Sequence, residues 1–131
     1  MASKFCFSFL VLFLSLQFNI SHARHKRSLP VIKFISALPK GSSPVIMNCK
    51  AGGYGRGSYT FKPVDNYLLK AVVNDTYYCL STFGMKFTSV HAFDPARDKG
   101  HATIFWKVDL YGFSISYRNS SFKVDAPWES E

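Results

Sequence analysis

The sequence predicts an all-β domain, a small antiparallel β-sandwich of about eight short strands. Runs of β-branched and aromatic residues recur at intervals of about 8–12 residues, with Gly, Pro and Ser between them. The clearest run, Ala102–Leu110, places Ile104, Trp106, Val108 and Leu110 on one face, which is the period of a half-buried strand. With 131 residues, 47% of them hydrophobic and 18% charged, the chain can build one core but excludes a two-domain enzyme or a long repeat array.

The first two strands, Val31–Ile35 and Val45–Cys49, follow from their β-branched and apolar composition, and the Pro- and Gly-containing segment 39–44 separates them. Ala51–Gly57 is glycine-rich and is predicted to be a flexible connection, and Pro95 and Gly100 bound a polar loop. The remaining strands are predicted by apolar or alternating patterns between such breakers: Tyr59–Lys62, Leu68–Val73, Thr76–Phe83, Lys86–His91, Phe113–Tyr117 and Phe122–Asp125.

The N-terminus, residues 1–23, is predicted to be an export signal. Lys4 precedes the uncharged apolar run Phe5–Phe18, and Ser21-His22-Ala23 supplies the small residues that precede a cleavage site. The run is short for a membrane span, which needs about 20 residues, and no later stretch is long and apolar enough to replace it. We therefore expect a secreted, extracellular product without a transmembrane segment.

A basic tail, residues 24–30, would then precede a single folded domain at residues 31–131. Arg24-His25-Lys26-Arg27 has three interpretations: a solvated extension, a processing site cleaved before Ser28, or a patch that binds acidic polysaccharide, phospholipid or nucleic acid. The formal net charge of the whole chain is +8. We favour the solvated extension and expect no nucleic-acid partner.

The cysteines predict one disulfide. Removal of the export signal would take Cys6 with it and leave Cys49 and Cys79, an even pair in an oxidising compartment. A bond between them would close a loop of about 30 residues, worth on the order of 3–4 kcal/mol in the chain-entropy model. Their spacing is not that of a zinc or redox site.

Two glycosylation sequons fall in predicted loops. Asn74-Asp75-Thr76 and Asn119-Ser120-Ser121 carry the acceptor pattern, so the sequence predicts modification of Asn74 and Asn119 at the surface.

One polar constellation could in principle hold a metal ion or cut RNA: His91, Asp94, Asp98 and His101 are spaced H-x2-D-x3-D-x2-H. Cationic residues in the same loop disfavour a metal, and nothing in the spacing brings the two histidines to one phosphate, as a small basic ribonuclease would need. The glycine-rich segment 52–57 lacks the Lys-Ser/Thr of a phosphate-binding loop. The sequence therefore predicts no cofactor, no metal and no catalytic residues.

A series of motifs resembles a known family from Val31 to Trp128. In chain order they are Val31-Ile32-Lys33-Phe34-Ile35, Asn48-Cys49-Lys50, Ser58-Tyr59-Thr60-Phe61-Lys62-Pro63, Thr76-Tyr77-Tyr78-Cys79, Phe93-Asp94 with Arg97-Asp98, Trp106-Lys107-Val108 with Gly112, and Pro127-Trp128. This order resembles the plant self-incompatibility protein family, the S-protein homologues. The resemblance implies a secreted β-sandwich with a ligand-like role.

The chain departs from the family pattern at two places. The C-x-x-C that usually precedes the Trp in the family corresponds here to His101 and Ile104. If the first two cysteines of the family pair with those later ones, the resemblance does not imply a bond between Cys49 and Cys79, and two free thiols are the alternative to the disulfide that the cysteine count predicts. The acidic stretch that follows the first cysteine motif is replaced by Gly52–Gly57 with Arg56, which reverses the local charge. The founding members of the family are stigma-borne ligands that arrest self pollen in poppies, and their recognition is assigned to exposed loops. Because the charge of this segment differs, we do not expect this chain to bind the same partner.

The resemblance implies a non-enzymatic ligand that binds an extracellular or plasma-membrane protein, in pollen–pistil or related cell–cell signalling, and we expect it to be a monomer. The predicted contact surface consists of the loops Ala51–Gly57, Phe93–Gly100 and Asn119–Ser121. The candidate contact residues are Tyr54, Arg56, Arg97 and Lys99, because Tyr and Arg are enriched in binding hot spots and the second loop supplies two cations. Trp106 and Tyr78 are expected in the core. The alternative function is a basic defence protein that acts on membranes or anionic polymers, with a small ribonuclease less favoured.

Overall fold

The computed structural model describes residues 29–131, so the predicted export signal and most of the basic tail lie outside the described residues. The described part contains nine strands and no helix. The strands are β1 (Val31–Ser36), β2 (Val45–Ala51), β3 (Tyr54–Phe61), β4 (Asn66–Lys70), β5 (Tyr77–Phe83), β6 (Lys86–Phe93), β7 (Thr103–Asp109), β8 (Gly112–Ser116) and β9 (Lys123–Pro127).

The strands form two sheets, which confirms the predicted all-β class. The five-stranded sheet has the order β4-β1-β7-β8-β9 and the four-stranded sheet the order β3-β2-β5-β6. All neighbours are antiparallel except β1 and β7, which run parallel with Phe34 opposite Trp106. β1 lies between β4 and β7, antiparallel to the first and parallel to the second, and neither is its neighbour in sequence.

The core lies between the two sheets and follows the alternation of the sequence. On β7, Ile104, Trp106 and Val108 are fully buried, as their spacing predicts. The indole Nε1 of Trp106 donates to the carbonyl of Ala92 on the other sheet, 3.0 Å away, so the largest core side chain also joins the two layers. Buried polar groups normally have hydrogen-bond partners. Ser81 is an exception among the described residues, because its buried hydroxyl has none.

The predicted disulfide is confirmed. Cys49 and Cys79 are directly opposite each other on β2 and β5, and both point into the core. The bond therefore joins two neighbouring strands of the four-stranded sheet rather than the two sheets.

The prediction that Tyr78 belongs to the core is wrong. Successive side chains of a strand point to opposite faces, so the inward position of Cys79 turns Tyr78 outward and Tyr77 inward. Tyr77 is fully buried and Tyr78 is 43% exposed. Leu110 is also exposed, because β7 ends at Asp109 and Leu110 lies in the following turn.

The segment Ala51–Gly57 is not the flexible connection that its glycines predict. Ala51 pairs with Tyr54 across a two-residue turn, and β3 continues from Tyr54 with a bulge opposite Cys49 and Lys50. Gly57 has φ +125°, and an added Cβ there would lie 2.7 Å from the hydroxyl of a neighbouring tyrosine. Here the glycines allow a tight bulged hairpin rather than a loose loop.

The strand register separates the connections into two ends of the sandwich. The loop end consists of residues 52–53, 71–76, 94–102 and 117–122. These connections share one end because each adjoins strand ends that are paired with one another: Ala51 with Tyr54, Val31 with both Lys70 and Thr103, Tyr77 with Phe93, and Phe105 with Ser116. The turn end is defined by residues 37–44, 62–65, 84–85 and 110–111.

Candidate functional site

The three loops predicted to bind a partner lie together at the loop end. The β2–β3 hairpin carries the first, the connection from β6 to β7 carries the second, and the connection from β8 to β9 carries the third. They are far apart in sequence and are brought together only by the pairing of the strands. The loop end is therefore the candidate binding surface.

The β2–β3 hairpin carries the exposed Tyr54 and the half-buried Arg56. Tyr54 is 72% exposed. The guanidinium of Arg56 lies 5.9 Å from the centroid of the Tyr54 ring, and its Nε donates to the carbonyl of Ala51 at 3.1 Å. Both side chains are thus held against the tip and remain available for contact.

The second loop is built around Asp98, whose residue is 2% exposed. Its carboxylate accepts hydrogen bonds from Arg97 Nε and Nη2, each at 2.7 Å, from the backbone N–H of Asp94 at 2.8 Å, and from the hydroxyl of Tyr117. This ion pair of Arg97 and Asp98 is the one formed among residues 29–131. Because the Tyr117 hydroxyl also donates to Asp98, these contacts connect the second loop to the start of the connection 117–122, which contains the third loop.

Burial by itself raises the pKa of the Asp98 carboxyl, but the hydrogen bonds from Arg97 and Tyr117 outweigh burial and hold that pKa below its ordinary value. Burial and the hydrogen bond to the Asp98 anion together raise the pKa of Tyr117 to about 12. Burial lowers the pKa of Arg97, and the neighbouring carboxylate more than restores it. The three groups therefore keep an ionised pair and a neutral phenol through the physiological range.

Arg97 also contacts two other elements. Its Nη2 donates to the carbonyl of His91 at 2.8 Å, and its guanidinium lies 5.4 Å from the centroid of the Trp106 ring. The side chain is 26% exposed. Arg97 thus positions the loop, and its predicted role as a partner contact stays a prediction, as does that of the exposed Lys99.

The histidines of the H-x2-D-x3-D-x2-H pattern pack against different tyrosines. His91 lies on the outer face of β6 against Tyr78, with 5.4 Å between ring centroids, and His101 stacks on Tyr117 at 3.7 Å. Among residues 29–131, no group of His, Cys, Asp or Glu side chains is arranged to hold a metal ion. Nor does this part of the chain contain a helix that could span a membrane.

Both predicted glycosylation sites lie at the loop end. Asn74 is exposed in the connection from β4 to β5, and Asn119 is exposed at φ 58° in the connection from β8 to β9. Their modification stays a prediction. A glycan on Asn74 would lie beside the candidate binding loops, and a glycan on Asn119 would occupy the third of them.

Sequence reasoning missed a groove of about 790 Å³ at the loop end. It runs between the connection 71–76 and the second predicted loop. Its lining residues are Leu29, Pro30, Asn74, Phe93, Pro95, Asp98, Lys99, Gly100, His101 and Ala102. No local pattern could have revealed it, because β4, β6 and β7 must first take their places in two different sheets.

The loop end, taken together with the adjoining Lys50 and Arg56, has a small excess of positive charge, because its other charged side chains are Arg97, Lys99 and Arg118 against Asp75, Asp94 and Asp98. Its exposed and half-exposed cations include Lys50, Arg56, Lys99 and Arg118. The carboxylate of Asp98 is already neutralised within the second loop, and that of Asp94 accepts from the backbone N–H groups of Ala96 and Arg97. The surface therefore suits a partner with a complementary negative surface.

Comparison with known proteins supports the resemblance at the level of the fold. No family model matches the chain, and no curated protein matches it. A solved structure of plant SPH (self-incompatibility protein homologue) proteins superposes with a TM-score of 0.55 and 17% identity, covering 78% of this chain and 97% of that chain. The chain has the SPH fold. The comparison thus agrees with the fold that the motif order implies, although few individual residues are shared.

Those SPH proteins are described as a widespread family of small, highly stable, secreted proteins from plants. Near-complete coverage of the solved chain means that the described sandwich accounts for essentially that whole fold. The identity is low enough that the likeness concerns the backbone arrangement and not particular binding residues.

Proposed function

We propose that this protein is a secreted, non-enzymatic ligand of the SPH type, which binds a cell-surface protein through its loop end. The support comes from the SPH fold, whose solved representatives are secreted plant proteins, and from the export signal predicted at residues 1–23. The observation that carries the proposal is that the register of the strands brings three loops from distant parts of the sequence to the same end of the sandwich. The Asp98 network joins the second of these loops to Tyr117, at the start of the connection that contains the third.

A rigid sandwich with well-anchored loops suits recognition because little loop entropy is lost on binding. Tyr54 and Arg56 combine exposed aromatic surface with a cation held in place, the combination most often found in binding hot spots. The polar groups that could have served catalysis are otherwise engaged: Asp98 by Arg97, and the two histidines by separate tyrosines.

The test is binding of the fluorescently labelled, secreted protein to plant protoplasts. The variant Tyr54→Ser/Arg56→Ser should reduce binding at least about tenfold, since loss of one hot-spot residue commonly costs that much. The matched control, Leu68→Ser/Lys70→Ser, changes the same classes of side chain on the exposed strand β4 and should bind like the parent. Equal loss in both double variants, or no saturable binding at all, would contradict the proposal.

The positive loop end also favours a second candidate, binding to an anionic polymer. Such binding falls steeply as salt rises from low to physiological concentration, and it survives protease treatment of the protoplasts. Binding to a protein partner is lost when surface proteins are digested. The two treatments together distinguish the candidates.

N-terminal sequencing of the secreted product would show whether the signal is cleaved after Ala23.

A further inference from the structure

The turn end, opposite the candidate binding loops, exposes large apolar side chains at the tips of its turns. Met85 is 95% exposed between β5 and β6, and Val64 is 72% exposed between β3 and β4. Leu110 and Tyr111, between β7 and β8, are 50% and 78% exposed. Side chains of this size gain nothing from such exposure in the folded monomer.

Hydrogen bonds to acidic side chains fix the backbone of two of these turns. The carboxylate of Asp109 accepts from the backbone N–H groups of Tyr111 and Gly112, at 2.9 and 3.2 Å. That of Asp65 accepts from the N–H of Lys62 at 3.1 Å. The turns at 62–65 and 110–111 are thus closed by their own acidic residues, and their apolar side chains are left exposed to solvent.

Trp128 packs beneath the turns at 84–85 and 110–111. The ring of Trp128 packs on Phe83 and Phe113, with 5.4 Å between centroids in each case, and its Nε1 donates to the carbonyl of Asp109 at 2.9 Å. The backbone N–H of Trp128 donates to the carbonyl of Tyr111 at 3.1 Å. The amphipathic rings of Tyr and Trp are those that favour the boundary between water and lipid.

The charges around the tips are mixed. Lys40, Lys62 and Lys86 lie at this end, but so do the carboxylates of the turns and of the C-terminal residues Glu129 and Glu131. A strongly anionic surface would therefore gain little electrostatic energy here, whereas a zwitterionic headgroup layer can accept both signs.

We propose that the turn end docks onto a zwitterionic lipid bilayer, with Met85, Leu110 and Tyr111 inserted at the boundary between headgroups and acyl chains. Separate apolar tips with charges between them do not form the continuous apolar centre of a stable protein interface. A fluid bilayer accepts each tip separately and leaves the charges at headgroup level. The loop end would then point away from the membrane. This inference concerns a different surface and is independent of the proposed function.

The test is co-flotation of the protein with phosphatidylcholine vesicles. The variant Met85→Ser/Tyr111→Ser should lower partition about tenfold for each side chain, as expected for loss of a large buried apolar group. The control Leu68→Ser/Val124→Ser removes exposed apolar side chains from β4 and β9, away from the turn end, and should partition like the parent. Unfolding measurements on both variants verify that the fold is kept.

Trp128 provides a second readout that needs no substitution. The chain has two tryptophans, and Trp106 is fully buried in the core, so quenching by brominated phosphatidylcholine would report on Trp128. We expect quenching by vesicles that carry bromine near the headgroup.

Several results would overturn the proposal. They are failure to float with phosphatidylcholine, flotation that needs anionic lipid and is abolished by salt, equal partition of the tip variant and the parent, and no quenching of tryptophan emission by bound vesicles. A concentration-dependent dimer that the tip variant loses would assign the tips to a second copy of the chain instead.

Discussion

The network around Asp98 gives the sharpest test of the account, through the substitution Asp98→Asn. The side chain keeps its shape but loses its charge, so both hydrogen bonds from Arg97 become weaker and the guanidinium keeps no ionised partner. One carboxylate oxygen accepts from Arg97 Nε and the Tyr117 hydroxyl, and the other accepts from Arg97 Nη2 and the backbone N–H of Asp94. The NH₂ group of Asn replaces one of these oxygens and cannot accept either of the two hydrogen bonds made there.

The expected loss follows from these contacts. Breaking a fully buried ion pair by removing one partner costs about 3–5 kcal/mol. Arg97 is a quarter exposed, so water replaces part of what is lost, and we expect a decrease of about 2–3 kcal/mol in the free energy of unfolding. The control is Asp75→Asn, in the adjacent connection, because that exposed carboxylate accepts only from the N–H of Thr76 among the described contacts. It should cost less than about 0.5 kcal/mol.

Urea unfolding at several pH values measures the size of this loss in the free energy of unfolding and the direction in which it changes with pH. The folded-state pKa of Asp98 lies below its unfolded value, so its contribution is fully present above about pH 4 and is lost as pH falls through the folded pKa. The difference between parent and Asp98→Asn should therefore be constant at neutral pH and shrink in acid. A difference below about 0.5 kcal/mol at pH 7, or one that grows in acid, would refute the role of this network.

Three further predictions concern the sandwich itself. Reduction of Cys49–Cys79, or replacement of both by Ser, should lower the free energy of unfolding by about 3 kcal/mol; urea unfolding of the oxidised and reduced protein measures this, and equal midpoints would contradict it. Ser81→Ala should leave stability unchanged or raise it by about 1 kcal/mol, since the buried hydroxyl has no partner; a clear loss in thermal unfolding would reveal a hidden partner. Gly57→Ala should cost about 1–3 kcal/mol because φ is +125° and the space is occupied, whereas Gly55→Ala meets open space and should cost less than about 1 kcal/mol; similar losses in both would show that the bulge is not strained.

The fold class was predictable because alternation is a local property. The inward positions of Ile104, Trp106 and Val108 follow directly from the period of two, and the cysteine pair follows from parity once the export signal is removed. The same rule, applied from Cys79, would have turned Tyr78 outward. That error came from judging Tyr78 by its aromatic character and not by its register.

What could not be predicted depends on which strands become neighbours. The parallel pairing of β1 with β7 joins residues about 70 positions apart, a separation at which periodicity carries no information. Arg97 was predicted as a surface contact from its loop, yet its position over Trp106 and beside Asp98 exists only in the assembled sandwich. The position of the three candidate binding loops at one end of the sandwich likewise depends on which strands pair, so the sequence pattern does not predict it.

The measurement that tests the central claim most directly is site-specific photo-cross-linking on living protoplasts. A photoreactive amino acid at position 54 places the probe on the loop end, and the same residue at position 68 places it on the exposed face of β4. The account predicts that the probe at position 54 captures a discrete protein that surface protease removes, and that the probe at position 68 does not. Capture of the same protein from both positions, or from position 68 alone, would contradict recognition through the loop end.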